Sequence, residues 1–160
     1  MNQYKHRINI AGNHDRLHEF ESYYAKTLVP KNVIYLEDSG RDIDGYYFYG
    51  SPVQLPFNDW AFNRPEEKLK QHWEAIPDYT DVLITHSPPF GILDCSPLCG
   101  HYGSPSLTNE VLMRVKPKVH CFGHIHYSHG IHEQDNIKFI NASILDDGYE
   151  IVFEPIVIEI

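Results

Sequence analysis

The feature that most constrains this chain is where its apolar runs stop. Arg7-Ile8-Asn9-Ile10-Ala11 halts at Gly12, Asp81-Val82-Leu83-Ile84-Thr85 halts at His86, and Val119-His120-Cys121-Phe122 halts at Gly123. Runs this short, and largely apolar on both faces, suit strands of a sheet covered by helices. The segments between them alternate accordingly. Residues 16–26 have helical spacing, with Leu17, Phe20, Tyr24 and Leu28 on one face and Asp15 placed to cap. Residues 33–36 read as a strand, 37–40 as a turn, and 45–50 as an aromatic, β-favouring run. Residues 65–73 form a helix with Pro65 in its first turn, and 108–115 a helix halted by Pro117. Residues 90–106 are a turn-rich loop, and 137–140, 149–153 and 156–160 complete the β content. No repeat or linker divides the chain, so residues 1–160 read as a single α/β domain.

Composition excludes several classes. Thirteen Lys and Arg against 22 Asp and Glu leave a net charge of −9, the wrong sign for a protein that tracks nucleic-acid phosphates. An anionic substrate then needs a different source of positive charge, and a metal ion is one. No run approaches the roughly 18 apolar residues that cross a bilayer, and residues 1–10 hold no apolar signal core. Three cysteines, Cys95, Cys99 and Cys121, are too few for a disulfide framework and point to a reducing, cytoplasmic setting. Eleven histidines remain to be explained.

Three strand ends carry metal-type side chains: Gly12-Asn13-His14-Asp15, Thr85-His86-Ser87-Pro88-Pro89 and Gly123-His124-Ile125-His126. Ligands of α/β sheets bind beyond the carboxyl ends of strands, where loops converge without breaking the ladder. His124 and His126 are two apart, so in extended geometry both rings project from one side. Singly, each has an ordinary explanation. Chance alone gives on the order of one His-x-His in a chain so rich in histidine, an Asn-His pair caps turns, and His86 suits a core hydrogen bond. Their succession at three strand ends favours a common site.

That ordered set resembles the calcineurin-like metallophosphoesterase superfamily, in particular the subgroup of metallophosphoesterase-domain proteins with cyclic-nucleotide phosphodiesterase activity. Supporting stretches include Tyr35-Leu36-Glu37-Asp38-Ser39, Tyr49-Gly50-Ser51-Pro52, Trp60-Ala61-Phe62-Asn63 and Phe139-Ile140-Asn141-Ala142-Ser143. The resemblance implies that Asn13, His86 and His124 bind one divalent metal (Mn, Fe, Zn or Mg) and His126 a second. It implies that His14 contacts the phosphate and protonates the leaving oxygen, with Asp15 orienting the imidazole. The substrate is then a small phosphomonoester or phosphodiester, cyclic nucleotides included.

The chain departs from the family in having neither an Asp-x-His nor a Gly-Asp motif. The expected architecture is therefore an incomplete form of the family's two-sheet sandwich flanked by helices, without its first strand-helix unit. One metal or none is expected where the family holds two, together with self-association or a complementary N-terminal fragment at the strand beginning near Arg7. The alternative, of a different class, is a catalytically impaired fragment or a non-catalytic metal-binding or interaction module. Outside the motifs, Cys95, Cys99 and His101 have a spacing that zinc accepts, though ordinary loop cysteines are the commoner explanation. Asp94 is a candidate for the substrate mouth. His101, His129 and His132 read as loop histidines, and Asn141 as a loop tie.

Overall fold

Pairing in the main sheet runs β3-β4-β5-β6-β8-β7, with β4, β5, β6 and β8 parallel and the outer strands β3 and β7 antiparallel. The computed structural model describes residues 4–96 and 100–160. In chain order the strands are β1 (Ile8–Asn9), β2 (Ile34–Tyr35), β3 (Ser39–Ile43), β4 (Tyr46–Ser51), β5 (Val82–Thr85), β6 (Val119–Phe122), β7 (Gly130–Gln134) and β8 (Ile137–Asn141). β1 and β2 form a separate two-stranded parallel sheet. The helices are α1 (Arg16–Phe20), α2 (Ser22–Leu28), α3 (Glu66–Glu74) and α4 (Pro105–Asn109), the last continuing as a π-helix over Glu110–Val115.

One face of the main sheet is closed by α3, α4 and the π-helix. Leu69 and Trp73 of α3, Leu107 of α4, and Val111 and Val115 pack on Tyr49, Leu83, Phe122, Ile137 and Phe139. Trp73 is fully buried, and its indole N–H donates to Ser104 Oγ at 3.1 Å. Ser104 also caps α4, ahead of Pro105 at its first position. On the opposite face Val82, Val119 and Ile140 pack with Ile156 and Ile158 of the C-terminal segment.

Several sequence expectations change. The segment read as one helix over 16–26 breaks at Glu21 into α1 and α2, and Leu17, Phe20, Tyr24 and Leu28 are exposed. Asp15 makes no helix cap, because its carboxylate accepts a hydrogen bond from the Gly12 N–H at 2.7 Å. The turn expected at 37–40 instead leads into β3, whose polar sequence Ser-Gly-Arg-Asp-Ile hides an edge strand. Asp44 and Gly45, both at positive φ, close the β3–β4 hairpin. β7 was likewise masked by polar residues. Residues 149–153 contribute only a single bridge, Leu145 to Ile151, and 156–160 cover the sheet without joining its ladder.

His120 is an unanticipated core residue. It sits in the middle of β6, fully buried against Phe122 and Phe139. Thr85 Oγ1 donates to the Ser87 carbonyl, so it accepts from His120 Nε2 at 2.9 Å, which leaves Nδ1 with no hydrogen-bond partner among the described residues. Burial lowers the pKa of this imidazole to about 3. Between that value and the ordinary value near 6.5, the unfolded chain binds a proton that the folded chain refuses. The neutral ring's contribution is therefore complete above pH ~6.5 and drains away as the pH falls toward 3. We expect His120→Leu to make the acid limb of a stability-versus-pH curve shallower by close to one proton, measured by denaturant unfolding at stepped pH. An unchanged slope rules the assignment out.

Candidate metal centre

The ladders run one residue beyond the strands and set the level of the site. The His86 N–H donates to the Ser51 carbonyl and the Gly123 N–H to the His86 carbonyl, each at 3.1 Å, while the Ala142 N–H donates to the Phe122 carbonyl at 2.7 Å. β4, β5, β6 and β8 thus release their chains side by side. Asn13 arrives from the turn after β1, held by the Asp15–Gly12 bond and by the Ala61 N–H, which donates to the Asn13 carbonyl at 3.0 Å. Gly12 is required by contact, since a Cβ there would stand 2.6 Å from His86 Cε1 and Nδ1.

At the meeting point, Asn13 Oδ1 lies 2.8 Å from His86 Nε2, which lies 3.1 Å from His124 Nδ1. The Asn13 backbone N–H also points at His86 Nε2, at 3.3 Å. No single tautomer of His86 answers all three neighbours: the amide oxygen asks for a proton there, and the backbone N–H asks for a lone pair. A cation accepting the Asn13, His86 and His124 lone pairs settles the contest among the three side chains, leaving only the Asn13 N–H without the His86 lone pair. Ligands about 2.1 Å from an octahedral ion stand about 3.0 Å apart along an edge, which matches this spacing.

Burial makes the imidazoles ready donors. Desolvation, followed by the charges of His124, His14 and His126, pushes His86 down to about 3. Desolvation, followed by His126 and His14, pushes His124 down to about 4. Both rings are therefore neutral near pH 7, as metal ligation requires. His126 Nδ1 donates to the Asp146 carbonyl at 2.8 Å, which fixes the tautomer with an Nε2 lone pair. His124 has φ +69°, and the Ile125 N–H donates to the Gly123 carbonyl across it at 2.8 Å, a tight γ-turn of the rare, strained kind. Asn141, fully buried at the end of β8, donates to the Ile125 and Leu93 carbonyls and so ties this loop to the one that follows β5.

His14 is exposed at the mouth, with its ring 4.8 Å from Trp60 and 6.2 Å from Tyr149. The sequence reading had Asp15 orient His14, whereas the carboxylate is engaged with Gly12 and shapes the turn that carries the imidazole. The cavity here measures about 680 Å³, and its walls include Asn13, His14, Phe57, Trp60, His86, His101, His124, His126 and Tyr149. Glu19 braces the Trp60 wall by bonding the Phe62 N–H at 2.8 Å and Arg64 at 2.7 Å. No sequence pattern identified Trp60 or Tyr149 as wall residues.

Of the remaining sequence candidates, His101 lines this cavity, and His129 and His132 fall elsewhere. His129 stacks on Phe153 at 4.4 Å, and His132 is exposed on β7. Asp94 is fully buried, with Cys95 and His101 beside it, and Cys99 lies outside the described residues.

Comparison with known proteins supplies the family and the fold. The family model for calcineurin-like phosphoesterases matches residues 2–128. The human metallophosphoesterase domain-containing protein 1 is 37% identical, with the match covering 98% of this chain and 56% of that protein. A UPF0046 protein of Caenorhabditis elegans is 39% identical over 85% of this chain and 34% of its own length. The chain thus spans about half the length, or less, of these relatives. A solved crystal structure shares the fold with a TM-score of 0.63, at 20% identity, covering 85% of this chain and 56% of the other.

Because an added Cβ at Gly12 displaces the His86 ring, Gly12→Ala is expected to weaken Mn2+ binding about 10- to 100-fold by calorimetric titration. His124→Gly should abolish the same binding while relieving about 1–2 kcal/mol of backbone strain in the metal-free protein. Full-strength binding by either variant contradicts the geometry.

Proposed function

The chain belongs to the calcineurin-like phosphoesterase family, and from that premise we propose that it hydrolyses small phosphomonoesters or phosphodiesters, cyclic nucleotides among them, with divalent metal. The observation that carries this reading is the approach of Asn13 Oδ1 and His124 Nδ1 to His86 Nε2, at 2.8 and 3.1 Å, in the wall of the cavity. A divalent ion bound there would activate water as the nucleophile and supply positive charge for the phosphoryl oxygens. Asn13, His86 and His124 would hold it, and His126 Nε2, with Nδ1 bonded to the Asp146 carbonyl, would serve a neighbouring position.

His14 delivers a proton to the departing oxygen. Its exposure leaves it wet and free to reload from solvent, and Trp60 limits its swing. Asp15 positions it through the Gly12 turn. Phe57, Trp60, Tyr102, Tyr127 and Tyr149 give the cavity aromatic walls on which a nucleobase or aryl group can lie. A chain at −9 with Asp147 on its rim repels anions at long range, so the ion and its imidazoles supply the attraction. The working compartment in this reading is the cytoplasm, consistent with the free thiols of Cys95 and Cys121. No helix among the described residues is long and apolar enough to cross a membrane. The exposed Phe20, Tyr23, Tyr24 and Leu28 of α1 and α2 support self-association or docking of a complementary N-terminal segment.

One observation favours a second reading, a metal-binding module without turnover: the three converging donors are an amide and two imidazoles, all uncharged, and none offsets the charge of a dication. A single experiment separates the two. With Mn2+, a chromogenic phosphodiester should be hydrolysed, and His14→Ala should lower kcat about 10²- to 10⁴-fold without changing metal stoichiometry. The loss should be larger with an alkyl than with a nitrophenyl leaving group, because the poorer leaving group depends more on protonation. Metal binding without turnover selects the module, and full activity in His14→Ala removes His14 from the chemistry.

A further inference from the structure

We propose that Asp94, Cys95 and His101 form a second metal site, chemically unlike the first, for a transition-metal dication of the zinc class. Their donor atoms stand as a triangle: Asp94 Oδ1 to His101 Nδ1 2.7 Å, Cys95 Sγ to His101 Nδ1 3.4 Å, and Cys95 Sγ to Asp94 Oδ1 3.9 Å. A tetrahedral zinc ion with ordinary bond lengths has edges of about 3.6 Å from sulfur to nitrogen or oxygen and about 3.4 Å from nitrogen to oxygen. The two sulfur edges already bracket that value. The third is drawn in by the hydrogen bond between ring and carboxylate, and opens when a metal takes the proton's place.

The carboxylate is held in position before any ion arrives. Asp94 is fully buried, and its Oδ2 accepts the Gly91 and Gly103 N–H groups, each at 3.0 Å, which leaves Oδ1 toward the cysteine and histidine. Two fixed donors on the outer oxygen of a ligating carboxylate are the support such sites use. The backbone locks the other two residues together. Cys95 and His101 face each other in an antiparallel bridge, flanked by the Tyr102 N–H donating to the Asp94 carbonyl at 3.2 Å and the Ser96 N–H donating to the Gly100 carbonyl at 3.3 Å. From outside, Ser128 Oγ donates to the Cys95 carbonyl at 2.8 Å and Asn141 to the Leu93 carbonyl at 3.0 Å.

Charge distinguishes this cluster from the first site. A carboxylate and a thiolate together match the +2 of the ion, and the thiolate selects the softer end of the transition series. On binding, the Cys95 thiol loses its proton to solvent, while the His101 proton moves from Nδ1 to Nε2. One proton is therefore released per ion. Three ligands among the described residues leave a fourth position, and His101, with Ser96 and Tyr102, lines the same cavity as His14 and Trp60. An ion held here cancels the negative charge that the Asp94 carboxylate otherwise contributes beside the cavity.

The test uses Co2+ as the probe on the full chain with its thiols kept reduced, because a thiolate–cobalt bond produces a charge-transfer absorption in the near ultraviolet that imidazole and amide ligands do not. Titration should develop this band to one equivalent, and Zn2+ should abolish it. Cys95→Ser should eliminate the band and His101→Ala should weaken binding at least tenfold; both side chains are exposed, so both variants should keep the native circular dichroism. Cys121→Ser and His86→Ala should retain the band, the last separating this cluster from the first site. Absence of the band in the parent chain, or its persistence in Cys95→Ser, overturns the proposal.

Discussion

The parallel register of β4, β5, β6 and β8 is the constraint on which the rest depends. Ser51 pairs with Thr85, Ile84 with Cys121, and Phe122 with Asn141, so four strands end within a residue of one another. Parallel pairing sends every chain out of the sheet on the same side, and the hydrogen bonds that continue past Thr85 and Phe122 keep the exits level. His86, His124 and Asn141 are brought together by this alone, though 55 residues of chain separate the first from the last. The helical layer of Leu69, Trp73, Leu107 and Val111 serves mainly to keep the sheet rigid beneath them.

Holding the donors there conflicts with local stability. His86 and His124 sit where a protonated ring is strongly disfavoured, and His124 occupies a backbone conformation that side chains avoid. Gly12 gives up any side chain so that the His86 ring can approach its backbone. Each feature is unfavourable for folding in isolation, and each accompanies the close approach of Asn13 Oδ1 and His124 Nδ1 to His86 Nε2. His120 is a different case. It shares the desolvation but lies inside the sheet, away from the cavity, and Thr85 is its only hydrogen-bond partner among the described residues.

Electrostatics divides the cavity into two kinds of ground. The Asn13, His86 and His124 cluster is uncharged, with both imidazoles held neutral by burial. The Asp94 loop lies on the opposite side of the charge balance, with a buried carboxylate fixed by two backbone donors and by the His101 ring. Asn141 connects the two through the carbonyls of Leu93 and Ile125. A displacement of either loop is therefore felt by the other.

The sequence by itself determined the central strands and the residues at their ends. β5 and β6 are largely apolar on both faces, a pattern that a covered parallel sheet demands, and the His86 and Gly123 that stop them are visible in the chain, as is the Asn141 that ends β8. The edge strands β3 and β7 were not legible, because an edge faces water and tolerates polar residues that read as turn. Nor was the break at Glu21, since helical spacing is the same in one helix or two. Only the tertiary structure decided that Asp15 serves the Gly12 turn and that Asp94 stands beside His101. It also decided that Trp60 and Tyr149 flank His14. These are contacts between segments far apart in the chain or between side chains whose rotamers packing selects, and neither periodicity nor spacing encodes them.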